Sequence, residues 1–115
     1  MEGVDFRDLQ VDTTMKQIVQ ITFNFSMPKT DLESAFKSLV ATFARMPGLL
    51  WKVWLMNEVE KEAGGIYLFD DAASTQRYLD GEIVAGLKHN PAVSNLRVKR
   101  FAILEEFTRI TRGPV

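Results

Sequence analysis

Residues Gly48 to Phe69, GLLWKVWLMNEVEKEAGGIYLF, read as two strongly apolar β-strands folded back on each other around an acidic, lysine-containing loop. Leu49 to Met56 is apolar at nearly every position, as suits a strand covered on both faces; a half-exposed strand would alternate apolar with polar. Ile66 to Phe69 repeats that character. Asn57 to Glu62 between them is polar enough to sit in water, and Gly64-Gly65 supplies the backbone freedom of a turn or bulge. A hairpin of this kind needs helices over one face and a second cover over the other.

The flanking segments supply the helices. Upstream, Val19, Ile21, Phe23, Phe25 and Met27 alternate with Gln20, Thr22, Asn24 and Ser26, the period of a strand with one greasy and one polar face. Pro28-Lys29 ends it, and Thr30 with Glu33 fits a capping box at a helix start. Leu32, Ala35, Phe36, Leu39, Val40 and Phe43 then form one apolar stripe at helical spacing, stopped by Met46-Pro47-Gly48. Downstream, Asp71 is placed to cap a second helical segment that Gly81 divides in two and Asn90-Pro91 ends. Residues 95–106 alternate again as a last strand, followed by a basic, mostly polar tail expected to cross a surface.

This order, β-α-β twice over, predicts an α+β, ferredoxin-like βαββαβ fold: a four-stranded antiparallel sheet with both helical segments on one face. The domain is expected over residues 16–112, with 1–15 as an N-terminal extension. Counting parity from Leu49 puts Leu49, Trp51, Val53, Leu55, Ile66 and Leu68 beneath the helices. It leaves Leu50, Lys52, Trp54, Met56, Tyr67, Phe69, Asn24, Lys99 and Phe101 on the other face. So large an apolar surface predicts a second copy of the chain packed against it, a homodimer.

Composition narrows the partners. Fourteen Lys and Arg against fifteen Asp and Glu give a net charge of -1, so no global field favours nucleic acid or an anionic membrane. With no cysteine, thiol catalysis, disulfides and thiolate metal sites are all excluded. The acidic start of the chain lacks the apolar core of a signal peptide, and no apolar run is long enough to span a bilayer, so a cytoplasmic location is expected. A single histidine, no GxGxxG and no Walker loop leave no metal or nucleotide motif.

The segments GLLWKVW, EAGGIYLF and VSNLRVKRFAILEE closely resemble corresponding stretches of the YdhR-like mono-oxygenases, members of the dimeric α/β-barrel superfamily, and the likeness runs from about Lys16 to Arg112. The resemblance implies a homodimer with a pocket in each protomer and an oxygenase activity that uses neither metal nor organic cofactor. It supplies no catalytic motif to carry over residue by residue.

The candidate site therefore comes from parity. Oxygenation without a cofactor requires an electron-rich phenol or enol to be deprotonated in a dry pocket, with donors or cations near the developing anion. Lys99, Tyr67, Asn24 and His89 are the catalytic candidates; Lys52, Trp54, Met56, Phe69 and Phe101 are the substrate-binding ones, for a small hydrophobic or aromatic compound. The blander reading makes the aromatic residues dimer core, the lysines a solvated rim, and His89, in Lys88-His89-Asn90-Pro91, a surface residue. A non-catalytic dimer that binds or senses a small hydrophobic ligand is the alternative function.

Overall fold

The computed structural model describes residues 15–115. The extension expected over residues 1–15 thus lies almost wholly outside the described residues. Eight elements follow in order: β1 (Gln17–Phe25), α1 (Lys29–Ala44), β2 (Leu49–Asn57), β3 (Glu62–Phe69), α2 (Ala72–Leu79), α3 (Glu82–His89), β4 (Val93–Ala102) and α4 (Glu105–Ile110). The strands form one antiparallel sheet in the order β2-β3-β1-β4. This is the ferredoxin-like arrangement, with both hairpin strands on one side of β1 and the last strand on the other.

Alternation in β1 works as its sequence requires. Val19, Ile21, Phe23 and Phe25 are all buried and carry the two core clusters, while the intervening residues are half-exposed. Cross-strand pairing then assigns the faces of the other strands, because directly paired residues share a face. Val19 pairs with Tyr67, and Tyr67 with Lys52. Lys52, Trp54, Met56, Tyr67 and Phe69 therefore lie on the helix side of the sheet, and Trp51, Val53, Leu55, Ile66 and Leu68 on the other.

The expected face assignment of the hairpin is thus reversed. Leu49 does lie on the helix side, paired with Phe69, but the register shifts between Leu49 and Trp51. One extra residue at Leu50 flips every later side chain of β2 to the opposite face. β4 keeps its expected faces: Lys99 pairs with Gln20 and Phe101 with Ile18, on the side away from the helices.

The helix boundaries follow local chemistry, with one correction. α1 starts after Pro28 with no side-chain cap, so the Thr30–Glu33 capping box does not form. At α2 the expected cap is present, with the Asp71 carboxylate accepting from the Ser74 amide at 2.8 Å. Gly81 stands at the N-cap of α3 and separates the two short helices. The tail is not purely irregular: it forms α4, which leaves Leu104, Phe107 and Ile110 exposed, and then returns so that the Trp51 indole donates to the Pro114 carbonyl at 2.8 Å.

Candidate functional site

α1 stands off the sheet, and a cavity of about 420 Å³ separates them. Its floor is sheet: Phe23 from β1, Lys52 and Trp54 from β2, Gly64 and Tyr67 from β3. Its roof is the apolar stripe of α1, with Leu32, Phe36, Leu39 and Phe43 facing inward, and Tyr78 of α2 with Ile83 and Leu87 of α3 close one side. Glu82 and Asn90 add polar groups to the wall. The volume suits a small organic molecule, and the lining is mostly apolar with few polar groups, the usual make-up of a ligand site.

Lys52 is the cation of this cavity. Its Nζ lies 3.4 Å from the ring centroid of Trp54, 3.6 Å from that of Phe43 and 4.7 Å from that of Tyr67. No ion pair engages it among the described residues. Burial alone pushes its pKa down to about 7 from the ordinary 10.5, since an ammonium loses hydration there that no carboxylate among the described residues replaces. The ring faces act in the opposite sense, because their quadrupoles attract the protonated form. The amine is therefore poised: it is readily neutral, yet once protonated it sits where an ammonium is accommodated.

The stem of Lys52 has its place because position 65 has no side chain. A Cβ built on Gly65 would fall 2.9 Å from Lys52 Cε and 3.2 Å from Tyr67 Cε1. Gly65 lies inside β3 rather than in a turn, so its function is close approach, one of the two meanings a strand glycine carries. Gly64 beside it has φ +159, and a Cβ there would collide with the Ile21 carbonyl oxygen at 1.9 Å.

The rings that hold Lys52 hold one another. Trp54 packs tilted on Phe36 at 5.1 Å between centroids and edge-on to Phe43 at 5.4 Å. Tyr67 and Tyr78 lie 5.0 Å apart, and the Tyr78 hydroxyl donates to the Tyr67 hydroxyl at 3.0 Å. Burial pushes the Tyr67 phenol up to about 12, the Tyr78 hydrogen bond pulling it back only in part. Burial, followed by the neighbouring Tyr67, raises Tyr78 as well. Both phenols stay protonated at neutral pH. With Tyr78 as donor, the Tyr67 proton is available to an oxygen in the cavity.

Of the residues singled out in the sequence, Lys52, Trp54 and Tyr67 meet at this cavity. The others lie elsewhere. Phe69 is fully buried in the core against Tyr67 and Tyr78, and Met56 packs on the second cluster, around Phe23 and Ala63. Asn24, on the opposite face, donates to the Lys61 carbonyl at 3.2 Å and accepts from Asn95 at 3.1 Å, which braces the β2–β3 turn. Lys99 and Phe101 share that face. His89 ends α3, exposed. Phe43 and Gly65, expected in helix packing and in a turn or bulge, are site residues, and Tyr78 of α2 joins them. The glycine pair inside an apolar run was the available signal.

Among the described residues no group of three His, Cys, Asp or Glu could hold a metal ion, and no helix is long and apolar enough to cross a membrane.

A ferredoxin-like sheet with helices over one face places the chain among small α+β domains. Within that class the chain belongs to the family described as "Putative mono-oxygenase ydhR", whose model matches residues 18–114. Solved structures share the fold at low identity. Protein SO0527 from Shewanella oneidensis superposes with a TM-score of 0.64 at 17% identity, covering 78% of this chain and 92% of that one. SnoaB, a cofactor-independent oxygenase from Streptomyces nogalater, gives 0.63 at 20%, covering 77% and 93%. MupZ from Pseudomonas fluorescens gives 0.56 at 22%, covering 87% and 81%. The search of curated proteins finds no match.

Proposed function

We propose that this chain is a cofactor-independent mono-oxygenase acting on a small phenolic or enolic compound, with the reaction in the cavity between sheet and helices. The observation that carries the proposal is Lys52, a desolvated amine enclosed by Phe43, Trp54 and Tyr67. Membership of the mono-oxygenase family supports it, as does the fold shared with SnoaB.

Each residue takes a role from its position. Neutral Lys52 removes the proton of the substrate hydroxyl, and the ammonium formed stays among the rings beside the substrate anion. Tyr67 donates its hydroxyl proton to an oxygen of that anion, stabilising the charge as it develops. For an enol whose nucleophilic carbon carries one hydrogen, that carbon bonds to O₂ and Lys52 returns its proton to the peroxide. Loss of the remaining C–H proton and cleavage of the O–O bond then leave a ketone. One O₂ is consumed, one of its oxygens enters the product and the other leaves as water.

Two copies of the chain packed through the sheet face opposite the helices complete the proposal. That face exposes Val53 and Phe101, 48% and 47% accessible.

The deciding experiment measures oxygen uptake by purified protein with chelator present, over anthrone-like phenols and hydroquinones. A ketone or quinone product formed in equal amount to the O₂ consumed, and its loss in Lys52→Met, is the expected result. A ligand that raises the melting temperature and is recovered unchanged, with no oxygen consumed across the panel, overturns the reading in favour of a binding or sensing protein.

A further inference from the structure

The placement of Lys52 supports a second chemistry that needs no oxygen and stands apart from the oxygenase reading. The amine is fixed at the cavity wall: its stem lies over Gly65, its Nζ is ringed by Phe43, Trp54 and Tyr67, and no carboxylate pairs with it among the described residues. An amine in such apolar surroundings keeps its lone pair free for bond formation, the condition under which lysines act as nucleophiles toward carbonyl carbon.

We propose that Lys52 captures small aromatic aldehydes, forming an imine inside the cavity. The nitrogen lone pair adds to the carbonyl carbon, and one of the amine protons passes to the carbonyl oxygen to give a carbinolamine. That oxygen then leaves as water while nitrogen loses a proton, making the C=N bond. One amine and one aldehyde give one imine and one water, and nothing is oxidised or reduced.

Three features of the cavity select this ligand class. Its walls are aromatic faces, against which a flat conjugated ring packs favourably. The Tyr67 hydroxyl, accepting from Tyr78, has its own proton to give to the departing oxygen, and with its pKa pushed up to about 12 it keeps that proton at neutral pH. Partial burial of the amine beside these rings is the third, since it favours the neutral form that adds to a carbonyl carbon. Lys29 provides a contrast within the same chain: it pairs with Glu58 at 3.1 Å, and that hydrogen bond raises its pKa, which holds the amine protonated and unreactive.

The test uses the full chain under argon near neutral pH with 4-hydroxybenzaldehyde and cyanoborohydride, which reduces an imine to a stable secondary amine. Peptide mapping by mass spectrometry then locates the adducts. Lys52 should be modified at least about tenfold faster than the salt-bridged Lys29, since far more of its amine is neutral at that pH. Lys52→Met should lose the fast adduct only, and Gly65→Ala, which pushes on the lysine stem, should slow it. Even labelling across the surface lysines, or an unmodified Lys52 in protein shown folded by circular dichroism, overturns the proposal. Oxygen uptake with phenols is scored separately, so either activity can fail without the other.

Discussion

Gly65 on β3 and Lys52 on β2 form a matched pair: the hydrogen at position 65 leaves the slot in which the lysine stem lies, and a methyl there would stand 2.9 Å from Cε. Gly65→Ala should therefore act on the site more than on the fold. Its backbone lies outside the left-handed region, so the substitution brings crowding without dihedral strain. Crowding of this kind costs about 1–3 kcal/mol. The expected outcome is a folded protein, by circular dichroism, whose oxygen uptake with a phenolic substrate falls more than tenfold, of the order lost when a proton acceptor is misplaced.

Lys52 makes both activity and stability depend on pH, with defined signs. Activity requires the neutral amine and should rise through an apparent pKa near 7. The folded-state value lies below the ordinary 10.5, so between those limits the unfolded chain binds more protons and stability increases with pH. The cost of the buried ammonium is fully present below about 7 and absent above 10.5. Attraction by the three rings narrows that window from its lower edge upward. Urea unfolding across this range should show a slope that is lost in Lys52→Met, with the variant the more stable at the acidic end. Turnover should drop by roughly a hundredfold or more, as for loss of a general base.

Tyr78→Phe removes the hydroxyl that donates to Tyr67. Because that hydrogen bond partly offsets the effect of burial on the Tyr67 phenol, its loss should raise the Tyr67 pKa further, which ultraviolet titration of tyrosinate formation would register. A stability loss of about 0.5–1.5 kcal/mol is expected for one hydrogen bond. Activity should fall less than in Tyr67→Phe, which removes the donor to the substrate anion itself.

The proposed homodimer can be tested on the face away from the helices. Phe101→Glu places a charge there, next to Lys99 and far from the cavity. Sedimentation at micromolar concentration should show a dimer for the native chain and a shift toward monomer for the variant. A native chain that sediments as a monomer would overturn the dimer while leaving the cavity chemistry intact.

Most of the fold could be read from the sequence because its signals were of the right kind. The alternation of β1, the stripe of α1, the cap at Asp71 and the break at Gly81 each report one local preference, and each element stands where expected. The faces of the hairpin could not be read this way. Leu49 to Met56 and Ile66 to Phe69 are apolar on both sides, so hydropathy carries no phase; even on the face opposite the helices, Leu68 is 1% exposed. Pairing fixes the phase: the register of β1 with β3 sets the faces of β3, and the bulge at Leu50 sets those of β2. The same side chains therefore arrived together under the helices rather than against the outer face, and Asn24, Lys99 and Phe101, assigned correctly to that outer face, were separated from them.

The stand-off of α1 also has an energetic meaning. A close-packed domain would fill the space beneath Leu32, Phe36, Leu39 and Phe43 with its own side chains, whereas here that space is left open. Any molecule of suitable shape then stabilises the native state by mass action, by about 2.7 kcal/mol at a hundred times its dissociation constant. The chain thus trades packing for occupancy: substitutions that enlarge side chains on that stripe should harden the fold and close the site together, so resistance to heat and capacity for substrate would vary inversely across variants.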